Sequence, residues 1–208
     1  MAIAVERFLL DRDYGSNCYV VRADEESEGA AVIDPGGDPG ELLARLAGHV
    51  EAILVTHGDV DHIGGVAELA AATGAEVWAP AGEADFLRRG VTRGGRTVPA
   101  HAPEHTVADG DSIAVAGMRF DVIGVPGHSI DHVAFHVEDR LFSGDVLFAG
   151  SVGRTDFPGG DWATLVGSIR RLLERCGPDV AIYPGHGEPT TLGRELQTNP
   201  FLGELRSA

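Results

Sequence analysis

The chain has 208 residues, 43% of them hydrophobic, which is enough for one sizeable core, and we expect a single domain over residues 1–208. It carries 32 acidic against 16 basic side chains, and its formal net charge is −16. So negative a surface repels phosphate groups, and we therefore do not expect nucleic acid or anionic membranes as partners.

The ends and the cysteines carry no targeting or redox signal. Residues 1–7 lack a basic stretch followed by a long apolar run, and no apolar segment reaches the length of a membrane span, which predicts a cytoplasmic protein. Cys18 and Cys176 form no Cys-x-x-Cys motif, and we expect two structural thiols.

Short apolar runs and turn residues define the first half of the chain. In chain order they predict strands over 5–10, 17–22 and 30–34, a helix over 39–48, a strand over 52–56, a helix from residue 63 to 73, a strand over 77–79 and a helix over 82–89. Strand, polar loop and helix therefore alternate, which is typical of an α/β protein.

The second half follows the same pattern. It predicts a strand over 118–125, a hairpin of strands over 133–137 and 140–143, an amphipathic helix over 161–176 and a buried strand over 180–184. No repeat, linker or low-complexity segment interrupts it.

Histidines and aspartates follow directly on several of these strands. The candidate metal ligands are His57, Asp59, Asp61, His62, His128, Asp145 and His186. In a tight loop after a strand alternate side chains point the same way, so residues 57, 59 and 61 can converge while residue 62 begins the next helix. Imidazole and carboxylate suit zinc, iron and manganese. We expect two divalent metal ions. Zinc is the first choice, and iron and manganese are the alternatives.

Residues 56–62, Thr-His-Gly-Asp-Val-Asp-His, resemble the Thr-His-x-His-x-Asp-His signature of metallo-β-lactamase-fold hydrolases. Residues 150–160, 185–191 and 199–202 further resemble short glyoxalase-II-like proteins. The resemblance spans nearly the whole chain and implies a four-layer αββα sandwich with the metals at one edge of the facing sheets. It also implies these ligand sets: His57 and His128 on the first metal, Asp61, His62 and His186 on the second, and Asp145 as the bridge.

Asp59 departs from the family signature, because it stands where the family usually has its second histidine. A carboxylate is shorter than an imidazole, so we expect Asp59 to be a weak ligand or to act through a water. If it does not bind, His57, His128 and Asp145 remain, and two histidines with one carboxylate are the set preferred by non-haem Fe(II).

Two further residues are candidates for substrate binding. His132 follows His128 by four positions and is a candidate for the pocket wall, whereas Arg154 could hold a substrate carboxylate or pair with Asp156. The sequence does not predict the oligomeric state.

No Gly-x-Ser-x-Gly motif occurs, so the sequence indicates metal-bound hydroxide as the nucleophile, positioned by Asp61. The resemblance implies a thioester substrate such as S-D-lactoylglutathione. A persulfide dioxygenase-like iron oxidoreductase and a lactonase or ester hydrolase of the same fold stay open as alternatives. A non-catalytic metal module is disfavoured, since structural sites are usually closed and need no bridging carboxylate.

Overall fold

The computed structural model describes residues 3–46, 49–93 and 95–206. Its strands are β1 (Ala4–Asp11), β2 (Ser16–Arg22), β3 (Gly29–Ile33), β4 (His49–Leu54), β5 (Glu76–Pro80), β6 (Val91–Arg93), β7 (Arg96–Val98), β8 (His105–Val107), β9 (Ser112–Val115), β10 (Met118–Gly124), β11 (Val133–Val137), β12 (Arg140–Gly144), β13 (Leu147–Phe148), β14 (Ser151–Val152), β15 (Ala181–Pro184) and β16 (Thr190–Thr191). Its helices are α1 (Gly40–Arg45), α2 (Val60–Ile63), α3 (Val66–Thr73), α4 (Ala84–Arg89), α5 (Trp162–Cys176) and α6 (Leu192–Thr198), with a 3-10 helix over Pro200–Arg206.

Two six-stranded sheets form the centre of the molecule. The first has the order β1-β2-β3-β4-β5-β8 and the second the order β16-β15-β12-β11-β10-β9. Period-two alternation within each strand sends neighbouring side chains to opposite faces. Along β2, Tyr19 and Val21 pack between the two sheets, while Cys18 and Val20 pack on the outer face of the first sheet.

Three apolar clusters separate the layers. One joins the outer face of the first sheet to helices α1 to α4, a second fills the space between the sheets, and a third joins the second sheet to α5 and α6. Phe120, Phe135 and Phe142 are fully buried in the middle cluster. The layers are therefore helix, sheet, sheet and helix, and this confirms the αββα sandwich that the resemblance implied.

Strand direction brings the polar loops to one edge. β3 and β4 run parallel, so both end at the same edge of the first sheet. In the second sheet β10 and β12 both run antiparallel to β11, and β15 runs parallel to β12, so these three also end at a common edge. The two edges are joined directly, because Asn17 donates its N–H to the Gly185 carbonyl and Tyr19 donates its hydroxyl to the Pro184 carbonyl.

Most predicted elements occur within a few residues of their expected bounds. The hairpin of β11 and β12 is confirmed by the pairing of Val137 with Arg140. The helix expected over 39–48 ends at Arg45, and residues 47 and 48 lie outside the described part of the chain. No helix among the described residues is long and apolar enough to cross a membrane.

Candidate metal centre

The first donor group consists of His57 and Asp59 from the loop after β4 and His128 from the loop after β10. One ligand atom from each lies within 4.8 Å of the others. Asp59 Oδ2 is 3.4 Å from His128 Nε2 and 3.9 Å from His57 Nε2. The shorter side chain of Asp59 thus reaches the two imidazoles, and its carboxylate belongs to the same donor group.

The second donor group consists of Asp61, His62 and His186, whose ligand atoms also lie within 4.8 Å of one another. Asp61 Oδ2 is 3.3 Å from His186 Nε2 and 3.7 Å from His62 Nε2. Asp61 and His62 lie in the short helix α2, and both are buried. The turn of α2 therefore points two neighbouring donors at the loop that follows β15.

Asp145 lies between the two groups. Its Oδ2 atom is 3.8 Å from His128 Nε2 in the first group and 3.3 Å from His186 Nε2 in the second, while Oδ1 is 3.4 Å from His62 Nε2. One carboxylate oxygen therefore faces both groups, which is the geometry that a bridging ligand needs.

The imidazoles are oriented through their second ring nitrogens. His57 Nδ1 lies 3.0 Å from Thr56 Oγ1, and His128 Nδ1 lies 2.8 Å from the Arg154 carbonyl oxygen. His62 Nδ1 lies 2.9 Å from Asp34 Oδ2. Such contacts fix the tautomer that leaves the Nε2 lone pair free for a metal.

The inward-facing nitrogens test whether this donor set fits a metal. Nε2 of His57, His62 and His128 is buried, and in the described part of the chain none of them has a hydrogen-bond partner. The carboxylate oxygens nearest to these nitrogens stand 3.4 Å or more away. A buried polar atom without a partner is costly, and a divalent cation in each donor group would remove that cost.

The carboxylates set the electrostatics of the site. Burial opposes protonation of His186, yet hydrogen bonds with Asp145 and Asp61 raise its pKa to about 9. Burial would raise the pKa of Asp145, but His62 and His186 hold it well below the usual range. The centre therefore stabilises positive charge, as a metal site requires.

Asp34 belongs to this centre although the sequence analysis did not single it out. It is 3% exposed and follows β3 with a positive φ of 50°. Its carboxylate accepts hydrogen bonds from the Thr56 amide at 2.8 Å and the Thr56 hydroxyl at 2.6 Å, besides its contact with His62. The available signal was an aspartate at the end of a buried strand, directly before Pro-Gly-Gly.

His132 lies behind the donors. It is 1% exposed, its Nε2 accepts a hydrogen bond from the Asp145 amide at 3.1 Å, and its ring stacks on His57 with centroids 4.5 Å apart. The structure thus gives His132 the position of a support for Asp145 and His57 instead of a place on the pocket wall.

A cavity of about 400 Å³ opens onto the donors. It is lined by Tyr14, Asp59, Val60, Asp61, Asp145, Arg154, Phe157 and His186. A larger cavity of about 800 Å³ lies along β1, but it contains none of the donors.

Arg154 lies on the wall of the smaller cavity, and both of its expected roles are compatible with what is seen. Its guanidinium forms two hydrogen bonds of 2.6 Å with Asp156 and lies 3.7 Å from the centroid of the Phe157 ring. The pair with Asp156 is therefore present, and the cation is still at the cavity.

Glycine is required at one point of the centre. A Cβ atom at Gly185 would lie 2.1 Å from Asp145 Oδ1 and 2.7 Å from His62 Cε1. Gly185 precedes His186, so the loop after β15 can approach the bridging carboxylate only without a side chain at this position.

Comparisons with known proteins agree with this geometry. A family model described as "Metallo-beta-lactamase superfamily" matches residues 11–186. The chain is 36% identical over 200 residues to "Hydroxyacylglutathione hydrolase GloC" of Haemophilus influenzae, which covers 91% of this chain and 93% of that protein.

Two solved structures are similar to this one. "BLEG-1 B3 metallo-beta-lactamase" superposes with a TM-score of 0.89 at 32% identity, covering 96% of this chain and 100% of that one. "TTHA1623 in a di-iron-bound form" superposes with a TM-score of 0.75 at 39% identity, covering 90% and 95%. The residues matched by the family model include every donor of both groups.

Proposed function

The chain belongs to the metallo-beta-lactamase superfamily, and from that premise we propose that it is a metal-dependent hydrolase of small thioesters, with S-D-lactoylglutathione as the model substrate. The observation that carries the proposal is the position of Asp145, whose Oδ2 atom faces both donor groups at the floor of the cavity. The similarity to a hydroxyacylglutathione hydrolase supports the choice of a thioester.

We assign the first ion to His57, Asp59 and His128, and the second to Asp61, His62 and His186, with Asp145 shared. Zinc suits this mixture of imidazole and carboxylate, and the similar di-iron structure keeps iron as the alternative, with manganese as a third choice. When bound, such a pair of ions supplies an acidified water and polarises the scissile carbonyl.

The protein's own groups orient the reactants. Asp61 lines the cavity, and we propose that its carboxylate accepts a hydrogen bond from the attacking water and so directs the water at the carbonyl carbon. Arg154 is exposed and lines the same cavity, and its guanidinium can bind a carboxylate of the thiol carrier bidentately. Its pairing with Asp156 limits the net charge that it contributes.

The cysteines do not offer an alternative nucleophile. Burial raises the pKa of Cys176 to about 11 and that of Cys18 well above its usual range. Neither residue lines the cavity. The thiolate form that attacks a carbonyl is therefore scarce at neutral pH in both.

The two other reactions weighed from the sequence differ in their support. The dioxygenase alternative rested in part on an Asp59 that stays away from the metal, whereas Asp59 Oδ2 lies 3.4 Å from His128 Nε2. The similarity to "ETHE1 from Myxococcus xanthus", with a TM-score of 0.76 at 27% identity, keeps it as an alternative. Hydrolysis of lactones or other esters keeps the same site, and the similarity to a B3 metallo-beta-lactamase adds β-lactams to the substrates worth testing. The thioester remains our first choice.

A substrate panel with metal analysis tests the proposal. We expect turnover of S-D-lactoylglutathione above that of lactones and β-lactams, complete loss with excess chelator, and recovery on adding zinc.

Asp145→Ala should lose most of both ions, because one carboxylate serves each. Asp156→Ala, which removes a carboxylate outside the donor groups, is the control and should keep both. Full metal content in Asp145→Ala, or thiol release by metal-free protein, would contradict the proposal, and oxygen uptake with glutathione persulfide would favour the dioxygenase.

A further inference from the structure

A buried carboxylate outside the donor groups joins the two loops of the first group. Glu83 precedes α4 and is 2% exposed, and within the described part of the chain it forms no ion pair. Its Oε2 accepts a hydrogen bond from the Gly58 amide at 3.1 Å, and its Oε1 accepts one from the Asp131 amide at 3.3 Å. Both oxygens of one side chain are therefore occupied by backbone N–H groups of different loops.

The two amides lie close in sequence to residues of the first donor group. Gly58 stands between His57 and Asp59, and Asp131 follows His128 by three residues in the loop that carries it. The connection is reciprocal, because the Gly82 amide donates to Asp131 Oδ2 at 2.5 Å. Glu83 thus fixes the backbone of both segments that supply the first donor group.

The packing around Glu83 leaves these segments little room to move. A Cβ atom at Gly58 would lie 2.8 Å from Glu83 Oε2 and 2.7 Å from the Phe86 ring, and one at Gly82 would lie 2.8 Å from the Asp131 Cβ. The loop after β4 is therefore held against α4 at the peptide directly before Asp59. A carboxylate is shorter than the histidine usual in the family, so its reach depends on where this peptide lies.

We propose that Glu83 is a positioning residue for the first metal: by binding the Gly58 and Asp131 amides it sets the backbone so that Asp59, His57 and His128 reach one ion. The inference rests on the ligand assignment of the proposed function and names a residue that acts through the backbone. The second group has its own support, since Asp34 holds the His62 ring. Loss of Glu83 should therefore weaken the first ion more than the second.

The experiment is a titration of metal-free protein with Zn²⁺ against a chromophoric chelator, with no substrate present. Glu83→Gln keeps the shape but presents an NH₂ group to one of the two amides, and Glu83→Ala removes both acceptors. We expect the affinity for one of two ions to fall about 10–100-fold in Glu83→Gln, and further in Glu83→Ala, with the other unchanged. Glu195→Gln is the matched control. Glu195 is also buried and also accepts a backbone N–H, from Gly150, but it lies outside both donor groups.

A rescue separates positioning from general stability. Asp59→His supplies a longer ligand that depends less on the Gly58 peptide, so in the Glu83→Gln background it should restore the weakened ion. Three outcomes would overturn the inference. They are wild-type affinity for both ions in Glu83→Gln, equal loss of both ions in that variant, and failure of the rescue together with a fall in unfolding temperature like that of Glu195→Gln. A wild-type protein that binds two ions but hydrolyses no thioester would remove only the proposed substrate. A wild-type protein without two metal sites would remove the proposed function itself.

Discussion

Asp59 changes the charge of the first donor group, because it places an anionic carboxylate where the family usually has a neutral imidazole. Its Oδ2 atom lies 3.4 Å from His128 Nε2, and its side chain is 23% exposed at the cavity. In the proposed ligand sets, Asp59, Asp61 and Asp145 bring three carboxylates to two divalent cations, which lowers the net positive charge of the centre. A less positive pair of ions acidifies water less strongly.

We therefore predict that two substitutions of Asp59 differ in their effect on the affinity for the first ion. Asp59→Asn removes an anionic ligand and should weaken the first ion about tenfold or more. Asp59→His returns a neutral imidazole and should keep that ion. Because the positive charge of the centre rises, the pKa of the shared water falls, and the pH of half-maximal hydrolysis should shift downwards.

Metal titration and a pH–rate profile of both variants measure these effects. Asp156→Asn removes a neighbouring carboxylate that pairs with Arg154 and provides the control for charge alone. If Asp59→Asn retained both ions at wild-type affinity, Asp59 would act through a water, as the length of its side chain first indicated.

The candidate ligands could be predicted from the sequence, whereas the residues that support them could not. His57, Asp61 and His62 stand in one short motif after an apolar strand, and this local pattern predicts a site. Asp34 and Glu83 act on that motif from 28 and 25 residues away. An aspartate after a strand or a glutamate before a helix is common, so neither residue carries a signal until the fold brings it to its partner.

At the scale of elements, the centre depends on how closely the strand-end loops approach each other. β12 and β15 are parallel neighbours, so Asp145 and Gly185 leave the sheet side by side. The Gly185 amide donates to the Gly144 carbonyl at 2.9 Å, and this bond holds the two loops together. The second donor group can therefore form only if Gly185 has no side chain.

We predict that Gly185→Ala disrupts the centre. The added methyl group would lie 2.1 Å from Asp145 Oδ1, so either the bridging carboxylate or the loop that carries His186 must move. We expect both ions to bind much more weakly and the unfolding temperature to fall, as measured by metal analysis and calorimetry. Gly167→Ala is the control, because α5 has open space at that position and alanine favours a helix.

Wild-type metal affinity in Gly185→Ala would show that the loop after β15 can shift without cost to the site. A loss of metal in Gly167→Ala would instead point to a general effect of substitution on the fold, since Gly167 lies in α5 and that helix contains none of the donors.

The elements that the sequence predicted well are those with a strong internal pattern. The buried strands and the long helix α5 have regular apolar spacing, and Asp161 caps α5 by accepting a hydrogen bond from the Thr164 amide. By contrast β6 to β9 were not predicted. They have three or four residues each, too few for a period to show, and their pairing is set by the neighbouring strand.

At the scale of the whole molecule, helices cover both outer faces of the sandwich, so the polar chemistry is confined to an edge. The alternation of apolar residues in β2 to β4 and β10 to β12 fills the clusters on both faces of each sheet. This alternation is a local pattern, and it accounts for the prediction of the individual strands, whereas the four layers were implied by the family resemblance. The relative placement of the sheets was supplied by the family resemblance, because it depends on contacts between distant segments such as that of Tyr19 with Pro184.

The net charge of −16 should influence how an anionic substrate arrives. Two divalent cations would leave the molecule strongly negative, and a glutathione thioester is itself an anion at neutral pH. Long-range repulsion between them acts at low salt, where the Debye length is about 30 Å at 0.01 M, and is screened near 0.15 M, where it is about 8 Å.

We therefore predict that kcat/KM for S-D-lactoylglutathione rises severalfold over this range of NaCl, chiefly through a lower KM. A neutral N-acetylcysteamine thioester is the matched control and should respond little. A fall in kcat/KM for the anionic substrate would show that the cations and Arg154 at the cavity govern its approach, because their attraction would then exceed the repulsion of the remaining surface.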